Sequence, residues 1–147
     1  MRIIFLVSIF VLLNLSTTKA FATDSAWEQP TGIYPNNFYW DNKNSYYKNG
    51  FVIVRIMTIE KTSITYPTTN DFQGFTFDKT ISKNIFPCDK AKNWFKNLIT
   101  NFFLENRVVF KFDVSSNPMM FSFAPGDQVD KFRNYTCNKL KPLWMPP

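Results

Sequence analysis

The stretch from Asp89 to Val114 constrains this chain most, because its hydrophobic period changes in mid-course. Ala91, Trp94, Phe95, Leu98, Ile99, Phe102 and Phe103 recur at i, i+3, i+4 and i+7, the spacing that gathers side chains on one face of a helix. Lys90, Lys92, Asn93, Lys96, Asn97, Thr100 and Asn101 fall on the other side, and Asp89 stands where a side-chain oxygen caps free backbone N–H groups. The spacing therefore predicts an amphipathic helix over about 89–105, stopped at Asn106, which tolerates left-handed backbone. From Arg107 to Val114 the period becomes two, which predicts a strand turning Val108, Phe110, Phe112 and Val114 towards a core. On this reading Phe95 is buried and Lys96 is wet.

At the N-terminus, Arg2 precedes an unbroken apolar run from Ile3 to Leu13, and Ala20-Phe21-Ala22 offers the small-x-small pattern of a signal-peptidase site. Residues 1–22 read as a secretory signal, too short in its apolar run to cross a membrane, which takes about 20 residues. No membrane span is expected after cleavage, and the mature protein is expected to be secreted or periplasmic. Losing Arg2 and Lys19 lowers the formal charge from +6 to +4 over the remaining chain. That length suits one domain. A mildly basic exported protein points to acidic glycans, anionic membrane surfaces or an acidic protein as partners, and away from nucleic acid.

Cys88 and Cys137 are the two cysteines. In an oxidising compartment they are expected to pair, closing a loop of about 50 residues worth roughly 3–4 kcal/mol. Ala26 to Asn49, rich in Pro, Asn, Tyr and Trp without a sustained period, reads as an aromatic lead-in arm within 23–49. Phe51 to Ile59 reads as a central strand, Phe72 to Phe77 and Met119 to Ala124 as further extended segments, Pro125-Gly126-Asp127 as a turn, and Phe132 to Leu140 as the last strand. One domain over 50–140 and a Pro-rich surface tail over 141–147 complete the division. The expected fold is mainly β, of α+β type: a small, partly open barrel of the oligonucleotide/oligosaccharide-binding kind closed by one helix, or else a curved sheet wrapped around that helix.

The chain has no histidine, so histidine triads and histidine metal sites are excluded. No Gly-rich phosphate loop and no calcium loop is present, and no cofactor or metal is expected. A distant carboxylate pair of glycosidase type carries no sequence signal. A non-catalytic binder is expected instead. Asn134-Tyr135-Thr136 matches the N-glycosylation sequon. The surplus of Tyr and Trp in 26–49 suits rings that stack on sugars or anchor a protein interface.

Trp40-Asp41-Asn42-Lys43-Asn44-Ser45-Tyr46-Tyr47 ahead of the strand at Phe51, then Cys88, Trp94, the Phe-rich segment and Arg107-Val108-Val109-Phe110, resembles the glycan-binding B subunits of subtilase cytotoxin and typhoid toxin over roughly 40–137. The resemblance implies the barrel fold, a ring of several copies, a secreted enzymatic partner subunit and a host-type glycan with an acidic sugar. It carries the sugar-binding tyrosine pair onto Tyr46 and Tyr47. Lys48 stands where that family has a serine, and a lysine there is suited to pairing with a sugar carboxylate; the family's additional cysteines have no counterpart. If 46–48 is a strand, Tyr46 and Lys48 share a side and Tyr47 opposes them; if it is the turn that its Asn-rich flank suggests, both rings can reach one ligand as an aromatic shelf. Two functions are therefore expected in competition: a carbohydrate-binding delivery subunit using Tyr46, Tyr47 and Lys48, or a small exported protein-binding module such as an inhibitor or envelope assembly factor.

Overall fold

A computed structural model describes residues 26–142; the expected signal segment and residues 143–147 of the tail lie outside the described residues. Eight strands form one antiparallel sheet: β1 (Trp27–Glu28), β2 (Phe38–Asp41), β3 (Tyr46–Lys48), β4 (Phe51–Tyr66), β5 (Phe75–Pro87), β6 (Trp94–Leu104), β7 (Arg107–Asp113) and β8 (Met119–Ser122), followed by the helix α1 (Gln128–Leu140). The order is β1-β2-β4-β5-β6-β7, with β3 beside β4 and β8 beside β6, and the sheet does not close on itself. A mainly β chain with a partly open, barrel-like sheet and one helix is the expected architecture.

The helix lies elsewhere than the sequence period placed it. Residues 94–104 form β6, paired with β5, β7 and β8. The apolar residues there come in adjacent pairs, Trp94-Phe95, Leu98-Ile99 and Phe102-Phe103, and in a strand each pair sends one side chain to either face. Every β6 residue is half-buried, with no dry side and no wet side. Pairs repeated every four residues imitate a helical stripe, and the long hairpin partners on both sides decide for the strand. Asp89, expected as a helix cap, accepts a hydrogen bond from the Ala91 N–H in the β5–β6 connection (3.0 Å). Glu105 and Asn106 do adopt positive φ (49° and 66°), but as the tight turn between β6 and β7. On β7 only Phe110 is sheltered; Val108 and Phe112, expected in the core, are exposed.

The segment expected as the last strand is α1. Asp127 caps it by accepting from the Asp130 N–H (2.8 Å), just after the Pro-Gly-Asp turn. Val129, Phe132, Thr136, Cys137 and Leu140 supply an apolar face at helical spacing, diluted in the sequence by Asp130, Lys131, Arg133, Asn134 and Lys139. Phe132 stands edge-on to Tyr34, Phe38, Trp40 and Phe86, and these with Val52 and Val54 make the core. Arg133, also buried, pairs with Asp130 and donates to the carbonyls of Lys92 (2.6 Å) and Asp89 (3.4 Å), tying the helix to the β5–β6 connection. The Cys88–Cys137 disulfide (Cα–Cα 5.7 Å) fixes the same two parts covalently.

Residues expected to form an arm are woven into the sheet as β1, β2 and β3, with Trp40 fully buried. Beyond the helix, the far ends of β4 and β5 bring Tyr66, Phe75 and Phe77 onto Phe102 and Phe110, a second aromatic cluster that packs without the helix. Gly74 makes this hairpin end possible, since a Cβ there would sit 2.3 Å from the Tyr66 carbonyl oxygen.

Candidate functional site

Residues opposite one another in antiparallel strands point to the same face, so the register sorts the sheet into two surfaces. One carries Trp40 opposite Ile56, Val52 opposite Phe86, and Val54 in line with Asn84 and Asn97, and α1 packs against it. On the other face, among the described residues, no helix is packed, and the Arg55 guanidinium lies 5.4 Å from the centroid of the Trp27 ring of β1.

That helix-free face is built in rows. Lys48, Phe51 and Pro87 form the first; Tyr46, Ile53, Ile85, Lys96 and Met120 the second; Arg55, Lys83, Ile99 and Asp113 the third; Met57, Ile81, Asn101 and Lys111 the fourth; Ile59, Lys79, Phe103 and Val108 the fifth. Each row carries a lysine. Lys96, Lys83 and Lys79 run down the middle on β6 and β5, with Lys48 and Lys111 at the two borders. The Lys96 ammonium lies 5.5 Å from the Trp94 ring centroid and that of Lys79 5.0 Å from Phe103, so aromatic rings support both ends of the stripe. Phe51 lies beside Trp94, ring centroids 6.1 Å apart.

Negative charge on this face is already engaged. Asp41, fully buried, binds Arg55 at 2.9 Å and accepts from the backbone N–H groups of Lys43 and Asn44 and the side chain of Asn44. The Asp-Asn-Lys-Asn motif thereby has a structural task, holding the loop from β2 to β3, while Ser45 Oγ accepts from the Arg55 N–H (3.1 Å). Asp113 pairs with Lys111 (3.0 Å); hydrogen bonds from Ser115 and then Lys111 hold its carboxyl down to about 2. Among the described residues Lys48, Lys83, Lys79 and Lys96 form no ion pair, although Lys79 donates to Asn106 (2.6 Å). The face is therefore cationic, with Ile81, Ile85, Ile99 and Met57 between the charges.

Of the residues expected to hold a sugar, Tyr46 and Lys48 stand exposed on this face, while Tyr47 points oppositely and packs against the core. The two tyrosines do not form one shelf. Tyr47 instead lines an open cleft of about 380 Å³ with Asn49, Phe51, Asp89 and Lys92, next to the disulfide. The Asn134 sequon lies on α1, where the Thr136 hydroxyl is buried and donates to helix carbonyls. Sequence reasoning missed Lys79, Lys83 and Lys96: Lys79 lay in a stretch given no element, Lys83 just ahead of the expected helix, and Lys96 on that helix's wet side. The alternation Lys79, Ile81, Lys83, Ile85 was the available signal.

Among the described residues no group of three or more His, Cys, Asp and Glu is placed to hold a metal ion, and no helix is long and apolar enough to cross a membrane. Compared with known proteins, the chain matches no protein-family model and no curated protein.

Proposed function

We propose that this is an exported, non-catalytic protein that binds an acidic carbohydrate on the helix-free face of its sheet. The observation that carries this reading is the lysine in every row of that face, set between aromatic and aliphatic side chains. Lysine ammoniums supply charge to carboxylate or sulfate substituents, and the exposed ring of Tyr46 accepts the apolar face of a sugar. The disulfide is consistent with a non-cytoplasmic location, where acidic glycans are the abundant polyanions. The resemblance to toxin B subunits points to the same ligand class through Tyr46, one of the tyrosine pair, while Lys48 departs from that family's serine.

The test is a glycan array with the folded, oxidised protein, followed by K83E/K96E. Binding to acidic but not neutral glycans, weakened by salt and lost in the double variant at unchanged melting temperature, is the expected result. Equal binding of neutral glycans, or a double variant that binds like the parent, overturns it.

A second reading, a protein-binding module, is favoured by one specific observation. The β7–β8 border exposes Val109, Phe112, Met119, Met120 and Phe121, with Met120 62% exposed, an apolar border larger than a solvated edge requires. A protein partner captured by that border would be lost on Met120→Asp and retained by K83E/K96E.

A further inference from the structure

We infer that the ligand is a linear, repeating polyanion lying along the strands, and not a single terminal acidic sugar; this rests on the acidic-carbohydrate reading above. A site for one terminal sugar needs a concave pocket where a few polar groups converge on one residue. The helix-free face instead spreads its charges. Along β5, Lys79 and Lys83 are separated by one intervening row, and Lys96 lies in the row beyond Lys83 on the neighbouring strand. With about 3.3 Å per residue, the rows from Ile85 to Lys79 span about 20 Å, with successive rows about 6.7 Å apart. The three ammoniums thus form a stripe parallel to β5, on two adjacent strands about 4.8 Å apart. Such a stripe matches charges repeating along a chain, and no single sugar reaches more than one or two of them.

The side chains between the lysines fit the same geometry. Ile81, Ile85 and Ile99 give a smooth apolar floor, and the rings of Trp94 and Phe103 lie beneath the terminal lysines Lys96 and Lys79. Those rings preorganise the two ammoniums by holding them over the ring faces, which reduces the side-chain entropy lost on binding. Asp113, exposed on this face, lies at the β7 border in contact with Lys111 and does not interrupt the stripe. Complementarity of charge therefore selects the occupant: an unbranched acidic polysaccharide.

The experiment measures affinity of the folded protein for two size series, oligogalacturonates and heparin fragments of two, four, six and eight sugars, by calorimetry at low and moderate salt. In at least one series affinity should rise ten-fold or more from the shortest to the longest member and level off once the chain outgrows the stripe, with a salt dependence that steepens with length. K79Q, at one end of the stripe, should weaken the longest oligomer several-fold and leave the shortest unchanged. Length-independent affinity overturns the polymer inference and leaves the acidic-carbohydrate reading standing. No binding in either series overturns the polymer inference, and the acidic-carbohydrate reading with it if the acidic glycans of the array are unbound too; equal or tighter binding of oligothymidylate overturns both by assigning the stripe to a nucleic-acid backbone.

Discussion

Phe132→Ala tests the fold at its centre. The ring is 1% exposed and stands edge-on to four aromatic neighbours at centroid distances of 5.1 to 6.5 Å. Returning a buried phenyl ring to water costs about 2 kcal/mol. The cavity left behind adds about 2 kcal/mol more at about 24 cal/mol per Å³ if it stays open. It should stay open, because α1 cannot slide inward: the disulfide holds Cys137 to Cys88, and Arg133 holds the β5–β6 connection. The expected loss is therefore about 4 kcal/mol, in the middle of the range for Phe→Ala. Urea unfolding followed by tryptophan fluorescence, with matched m-values, measures it; Lys131→Ala, on the exposed side of the same helix, should change stability by less than about 0.5 kcal/mol. A loss below about 1.5 kcal/mol for Phe132→Ala, or equal losses for the two variants, would refute the placement of the helix over the sheet.

Three further outcomes follow from the same contacts. Arg133→Ala should cost about 3–5 kcal/mol by stranding the buried Asp130 carboxylate, and R133A/D130A should recover part of that loss; urea unfolding of the two variants decides, and equal stability would show that the ion pair is not coupled. Breaking Cys88–Cys137 by C88A/C137A should lower stability by roughly 3–4 kcal/mol at a loop separation of 49, read by thermal unfolding, and a loss under about 1 kcal/mol would contradict the loop-entropy account. The Tyr34 hydroxyl is pushed up to about 12, first by burial and then by the Asp127 carboxylate, so its contribution to stability is full below about pH 10, where the unfolded tyrosine starts to ionise, and is lost as pH rises towards 12. Tyr34→Phe should accordingly lose less stability than the parent between pH 9 and 11, and parallel loss in both proteins would refute the shift.

The sequence by itself determined a mainly β chain, a disulfide between Cys88 and Cys137, a turn at Pro125-Gly126-Asp127 and the strand character of Phe51–Ile59, because each rests on chemistry local to a few residues or on cysteine number alone. Tyr46 and Lys48 on one side with Tyr47 opposed was likewise readable, given a strand. Only the tertiary structure decided which segment is the helix. Trp94 to Leu104 has a helical period, yet it lies between β5 on one side and β7 and β8 on the other, so backbone pairing and ring packing on both faces outweigh local preference. Gln128 to Leu140 has a weak apolar pattern, yet its Asp127 cap, buried Arg133 and disulfide hold it as the one helix over the core. The lysine stripe was decided at the same level. Lys79, Lys83 and Lys96 are far apart in sequence and become neighbours only through the β5–β6 register, which no period along a single segment can specify.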